Sequence, residues 1–66
     1  MDIEVNGKRL QLPQNSTVDQ LIQTMALTQQ RLAVELNLDV VPRSQYASQQ
    51  LRAGDRVEIV HAIGGG

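Results

Sequence analysis

Asn6-Gly7 separates two short stretches of alternating polar and apolar residues near the start of the chain. Asn-Gly is the pair that best tolerates the positive φ angles of a two-residue type I′ turn. Residues 2–5 and residues 8–12 each place their apolar side chains on one face, as half-buried strands do. The sequence therefore predicts a β-hairpin, which ends at Pro13 because proline has no N–H for the strand ladder.

A helix is predicted after the hairpin. Ser16 or Thr17 opens it, and Ser16 as the N-cap would put Asp19 at the third helical position, where a carboxylate suits both the cap and the helix dipole. No glycine marks the end of the helix, which is expected near residues 26–28. One apolar stripe at helical spacing is formed by Val18, Leu21, Ile22 and Met25.

The second half of the chain predicts three more strands. The third covers residues 32–37, and the fourth is a short edge strand at Val40-Val41 after a turn at Asp39. The last strand covers residues 56–63 and follows a turn at Gly54-Asp55. The residues expected to point inward from the third and last strands are Val34, Leu36, Val57, Ile59 and His61.

This order of elements has few compact solutions in a chain of 66 residues. We predict an α+β fold of the ubiquitin-like β-grasp type, a mixed sheet with one main helix packed on one face. The last strand returns beside the first and is central, which explains its apolar character. Residues 1–66 are expected to form a single β-grasp domain with a flexible tail over residues 64–66.

Composition excludes several classes of function. Because there is no cysteine, the chain offers no thiolate metal ligand, no cysteine nucleophile and no side-chain persulfide. Seven acidic and six basic residues nearly balance, and Tyr46 is the only aromatic residue, so we expect no nucleic-acid partner. We also expect no membrane partner and a cytoplasmic location, since neither a signal peptide nor an apolar run of about 20 residues is visible.

The chain is not predicted to be an enzyme. His61 is the only histidine, and the serines have no base near them in the sequence, so no nucleophilic triad is expected. The carboxylates lie mostly at turns or on outward strand positions and do not cluster as metal ligands would. We therefore expect no catalytic residue, no metal site and no bound cofactor.

Three glycines, Gly64-Gly65-Gly66, follow the last strand directly. An inert, frayed tail is one interpretation, because disorder is common at termini. Residues without side chains are also narrow enough to thread into a tight slot of another protein and present the carboxylate of Gly66 there. A carboxylate is a poor electrophile until it becomes an acyl adenylate or a thioester. Since the chain has no phosphate-binding loop, a partner must handle ATP and Mg²⁺.

Apolar residues at the end of the last strand are candidates for docking that partner. Val60 and Ala62 alternate away from the core positions, and Ile63 leads into the tail. An exposed apolar surface beside the tail would suit an activating enzyme. The alternative is that a central strand simply has both faces covered.

Short motifs are spread from one end of the sequence to the other. They are Ile3-Glu4-Val5-Asn6-Gly7-Lys8, Asn37, Val40-Val41-Pro42-Arg43, Tyr46-Ala47, the stretch from Leu51 to Ile59, and Ile63-Gly64-Gly65-Gly66. In these residues and their spacing, the sequence resembles over its whole length the ThiS family of sulfur carriers in thiamine biosynthesis. The resemblance implies that a ThiF-like adenylyltransferase uses ATP and Mg²⁺ to join the carboxylate of Gly66 to AMP. Sulfur from a cysteine desulfurase system would then replace AMP, leaving a thiocarboxylate that a ThiG-like thiazole synthase accepts.

Other functions share the fold and the tail. A carrier of the molybdopterin-synthase small-subunit type uses the same chemistry, although such chains are usually longer. A ubiquitin-like protein modifier would begin with the same activation and join Gly66 to lysines of target proteins. An interaction module with an inert tail is the remaining alternative.

Overall fold

The computed structural model describes residues 1–28 and 31–61. Its strands lie in one five-stranded sheet with the order β2-β1-β5-β3-β4, in which β1 and β5 are parallel and the other neighbours antiparallel. This mixed sheet with one helix confirms the predicted β-grasp fold and the central position of the last strand. The elements are β1 (Asp2–Val5), β2 (Lys8–Gln11), α1 (Val18–Thr24), β3 (Leu32–Leu36), β4 (Asp39–Val41), a 3-10 helix (Arg43–Gln45) and β5 (Arg56–His61).

Two tight turns join the antiparallel strand pairs. Asn6 and Gly7 have φ angles of 50° and 83°, as the predicted type I′ turn between β1 and β2 requires. Between β3 and β4 the turn residues are Asn37 and Leu38, with φ angles of 50° and 74°. The predicted turn at Asp39 is therefore wrong, because Asp39 begins β4. The left-handed conformation costs an ordinary residue such as leucine about 1–2 kcal/mol, so leucine is rarely found at such a position. The sequence therefore gives no strong signal for this turn.

Of the two caps predicted for the helix α1, Ser16 and Thr17, the structure has the second. Thr17 is the N-cap: its hydroxyl accepts a hydrogen bond from the Gln20 N–H at 3.2 Å, and the Gln20 side chain accepts one from the Thr17 N–H at 2.8 Å. This reciprocal pair is a capping box. Ser16 is buried and donates its hydroxyl to the Pro13 carbonyl at 2.7 Å, so it closes the preceding turn instead.

The same helix ends earlier than residues 26–28, at Thr24. Ala26 adopts a left-handed φ of 58°. The Leu27 N–H donates to the Ile22 carbonyl and the Ala26 N–H to the Gln23 carbonyl, both at 3.0 Å, which is the Schellman pattern of helix termination. Glycine is usual at this left-handed position. Because alanine occupies it here, the sequence does not indicate where the helix ends.

The core lies between α1 and one face of the sheet. Of the predicted helical stripe only Met25 is exposed, at the end of the helix. Leu36 is half-buried, and His61, which was expected to point inward, is exposed, because it pairs with the half-buried Leu32 at the margin of the core. The buried apolar residues are Ile3, Val5, Leu12, Val18, Leu21, Ile22, Val34, Val41, Leu51, Val57 and Ile59.

Candidate functional site

β5 is the element that leads to the predicted sulfur-bearing tail. Its described part ends at His61. The tail residues Gly64, Gly65 and Gly66, and the docking candidates Ala62 and Ile63, lie outside the described residues. Their roles stay predictions. The structure shows the position of β5, the side chains that hold this strand in the sheet and the surface beside its end.

Two asparagines of the tight turns hold β5 with their side chains. The amide of Asn6 donates to the Ile59 carbonyl at 3.1 Å, and its Oδ1 accepts from the Ile59 N–H at 2.8 Å. The Oδ1 of Asn37 accepts from the Arg56 N–H at 3.0 Å, and its amide donates to Oδ1 of Asp55 at 3.1 Å. Asn6 therefore continues the pairing between β1 and β5 past the end of β1, and Asn37 fixes the start of β5.

Replacing Asn6 with glycine tests the first of these contacts. Asn6→Gly keeps the positive φ but removes both hydrogen bonds to Ile59, so we expect the free energy of unfolding to fall by about 1–3 kcal/mol in urea denaturation. Asn15→Gly is the matched control, because Asn15 also has a positive φ, of 66°, and makes no side-chain hydrogen bond to the described residues. The control should change stability by less than about 0.5 kcal/mol; equal losses in the two variants would contradict the role of Asn6.

The outer face of the sheet, which faces away from α1, carries the docking candidate that the structure describes. Val60 is 58% exposed there and lies directly opposite Ala33 on β3. Val40 of the edge strand β4 is 70% exposed on the same face. Its opposite residue Glu35 lies in turn directly opposite Glu58 on β5. An exposed apolar surface with two carboxylates therefore lies beside the end of β5.

One ion pair lies on the other half of the outer face. Nε of Arg56 lies 3.1 Å from Oε2 of Glu4. Arg9 on β2 lies directly opposite the same glutamate. A solvent-exposed ion pair of this kind contributes at most about 1 kcal/mol to stability. Glu4 therefore lies between two arginines on this half of the outer face.

Metal-ligating side chains are scattered over the described residues. Among them no three His, Asp or Glu side chains cluster in a way that would hold a metal ion. A cleft between α1, β3 and the 3-10 helix has a volume of about 90 Å³. No helix in this part of the chain is long and apolar enough to cross a membrane. The residues lining the cleft are Asp19, Ile22, Leu27, Thr28, Leu32, Arg43 and Tyr46.

Comparison with known proteins identifies the family. The model of the ThiS family matches residues 2–66. The sulfur carrier protein ThiS of Escherichia coli is 30% identical over 66 residues, which cover 100% of both chains. The crystal structure of the thiamine biosynthesis protein ThiS from Geobacter metallireducens matches with a TM-score of 0.86 and 30% identity, again over 100% of both chains.

A longer protein contains a similar segment. The thiazole synthase of Paramagnetospirillum magneticum is 38% identical over 66 residues, which are 100% of this chain but only 20% of that protein. The match to the family model and the full-length similarity to a sulfur carrier agree with the fold described above. The chain belongs to the ThiS family of sulfur carrier proteins.

Proposed function

We propose that this chain carries sulfur for thiazole formation in thiamine biosynthesis, as a thiocarboxylate on Gly66. The observation that carries the proposal is the family match, which extends through the three terminal glycines to residue 66. The names of the relatives support the same pathway, since one is a sulfur carrier and another a thiamine biosynthesis protein. In this proposal the chain is not an enzyme but the protein substrate and sulfur donor of its partners.

Activation is the first step. A carboxylate oxygen of Gly66 attacks the α-phosphorus of ATP on a ThiF-like adenylyltransferase, and pyrophosphate leaves. The product is an acyl adenylate, whose AMP is a far better leaving group than the oxide of a free carboxylate. The adenylyltransferase supplies the ATP and Mg²⁺ handling, and Gly64 and Gly65 let the end of the chain enter its active site. We place these reactions in the cytoplasm, where ATP is available.

Sulfur transfer is the second step. A persulfide supplied through a cysteine desulfurase system attacks the acyl carbon of Gly66, and AMP leaves. Reduction of the S–S bond by a thiol of the partner then leaves a thiocarboxylate on the carrier and a disulfide on the partner. The absence of cysteine from this chain supports this route, because the chain has no side-chain thiol on which sulfur would otherwise sit.

A ThiG-like thiazole synthase is the proposed acceptor of the sulfur. In the Paramagnetospirillum magneticum protein, a segment similar to this whole chain belongs to the polypeptide of a thiazole synthase. Joining two domains raises their effective concentration for one another, which benefits domains that meet in the same reaction. This arrangement supports a thiazole synthase as the partner of the separate carrier.

Pyrophosphate release tests the activation step. The chain ending at Gly66 is incubated with ATP, Mg²⁺ and the adenylyltransferase of the same organism, and pyrophosphate is measured against enzyme without carrier. We expect release that depends on the carrier and is stoichiometric with it when no sulfur source is present. Pyrophosphate at the level of the enzyme alone would contradict the proposed activation.

A further inference from the structure

Asn6 and Gly7 are a chemically reactive pair as well as a turn. In an Asn-Gly sequence the backbone nitrogen of the glycine can attack Cγ of the asparagine, because glycine has no side chain that hinders the approach. Beyond the chain neighbours of Gly7, no heavy atom lies within 4 Å of the position that a Cβ atom would occupy there. Both residues are exposed, so water reaches them. The pair therefore meets the chemical requirements for deamidation.

Deamidation of this pair needs only water. The nitrogen of Gly7 gives up its proton and forms a bond to Cγ of Asn6, the bond from Cγ to Nδ2 breaks, and ammonia leaves with the proton. The product is a cyclic succinimide. Water then opens the ring at one of its two carbonyl groups, which leaves an aspartate or an isoaspartate at position 6. Either product carries a negative charge that the amide does not have.

The contact between Asn6 and Ile59 opposes this reaction in the folded chain. Both polar atoms of the Asn6 side chain are hydrogen-bonded to the backbone of Ile59, at 3.1 Å and 2.8 Å. Attack on Cγ turns the planar amide into a tetrahedral centre, so the plane that makes both hydrogen bonds is lost. We therefore expect the reaction mainly from molecules in which the end of β5 has opened locally.

We propose that Asn6 is a site of spontaneous deamidation, that its contact with Ile59 suppresses the reaction, and that modification irreversibly loosens the end of β5. An aspartate still accepts a hydrogen bond from the Ile59 N–H, but it has no N–H to donate and sets a carboxylate oxygen against the Ile59 carbonyl. An isoaspartate adds a methylene group to the backbone of a turn whose geometry suits two ordinary residues. The register between β1 and β5 ends at Val57, and the Asn6 side chain holds β5 beyond that point.

The two other asparagines of the chain are internal references for Asn6. Asn37 is held in a similar way, because both polar atoms of its side chain are hydrogen-bonded. The branched side chain of Leu38 follows it and hinders attack by the next backbone nitrogen. Asn15 makes no side-chain hydrogen bond to the described residues, and Ser16, which follows it, hinders attack less than leucine but more than glycine.

Rates of deamidation in the folded and the unfolded chain test the proposal. The wild type is incubated at mildly alkaline pH with and without guanidinium chloride and then digested with trypsin, which separates the three asparagines into different peptides for mass spectrometry. We expect Asn6 to react fastest of the three in the unfolded chain, and at least about 10-fold more slowly in the folded chain, where both hydrogen bonds must be broken. Equal rates at Asn6 in the two states would overturn the protective role of the contact. A rate in the unfolded chain no higher than that of Asn37 would show that Asn6 is not the reactive site.

The variant Asn6→Asp measures the consequence of the reaction. Its equilibrium constant for folding, from urea denaturation, should fall about 10- to 100-fold relative to the wild type, because a carboxylate replaces the donor to the Ile59 carbonyl. The matched control is Asn15→Asp, which makes the same change of charge at a positive φ and should stay within about threefold of the wild type. Equal folding constants for Asn6→Asp and the wild type would overturn the proposed loosening of β5.

Hydrogen exchange of the wild type gives a second measurement that needs no variant. Molecules modified at position 6 are separated by charge from aged wild type, and exchange of the Ile59 amide is followed by NMR in both fractions. We expect this amide to exchange at least about 10-fold faster in the modified fraction, because the end of β5 opens more often. Equal exchange in the two fractions would contradict the proposal.

Discussion

Deleting Gly66 is expected to abolish carrier-dependent pyrophosphate release and to leave the fold intact. The carboxylate of the shortened chain belongs to Gly65 and falls one residue short of its place, a distance of about 3.5 Å. A displacement of about 1 Å at a reacting centre already costs about 100-fold in rate, so the loss should exceed that value. The last buried residue of the described chain is Ile59, and the free energy of unfolding should therefore change by less than about 0.5 kcal/mol.

An extension of the chain by one glycine is the matched control for this deletion. The extension removes no residue, but it moves the terminal carboxylate one residue past its place in the active site of the adenylyltransferase. Activation should therefore fail here too. Urea denaturation of all three proteins checks that the domain is unaffected. Pyrophosphate release by the truncated chain at the wild-type rate would show that the carboxylate of Gly66 is not the group activated.

Replacing Gly65 with valine is expected to lower activation about 100-fold without altering thermal stability. The proposed reason is steric: the end of the chain enters a narrow active site, and a branched side chain does not fit where a residue without Cβ does. The measurement is the rate of pyrophosphate release, with the melting temperature followed by circular dichroism.

Gly65→Ala serves as the graded comparison for this variant. Because alanine adds only one methyl group, Gly65→Ala should lower the rate of activation less than Gly65→Val does. Activation of Gly65→Val at the wild-type rate would contradict threading of the tail. A loss of melting temperature parallel to the loss of activation would instead indicate a structural role for Gly65.

Much of the fold follows from local patterns in the sequence. Asn6-Gly7 predicts the first hairpin because few other pairs accept two positive φ angles. The apolar run over β5 predicts its central position, which the strand order confirms. Two of the errors, the end of the helix and the turn after β3, arise where an ordinary residue adopts a left-handed conformation. Ala26 ends the helix and Leu38 forms a turn, and neither residue type signals this role.

The candidate site was predictable only in part, because its contacts are made across the sheet. Alternation along β5 places Val60 on the outer face, where the structure finds it exposed. The contact between Asn6 and Ile59 joins residues 53 positions apart, so it needs the tertiary fold. Opposition of Glu35 and Glu58 depends on the register between β3 and β5, and a shift by one residue would separate the two side chains onto opposite faces.

The mass of the intact carrier tests most directly whether Gly66 carries sulfur. The chain is incubated with ATP, the adenylyltransferase and a cysteine desulfurase system, and its mass is compared with that of the chain lacking Gly66 treated in the same way. We predict that one oxygen of the full chain is replaced by one sulfur and that the shortened chain is unchanged. Covalent attachment of the full chain to other proteins would indicate a protein modifier. A full chain that keeps its original mass would contradict the proposal that it carries sulfur.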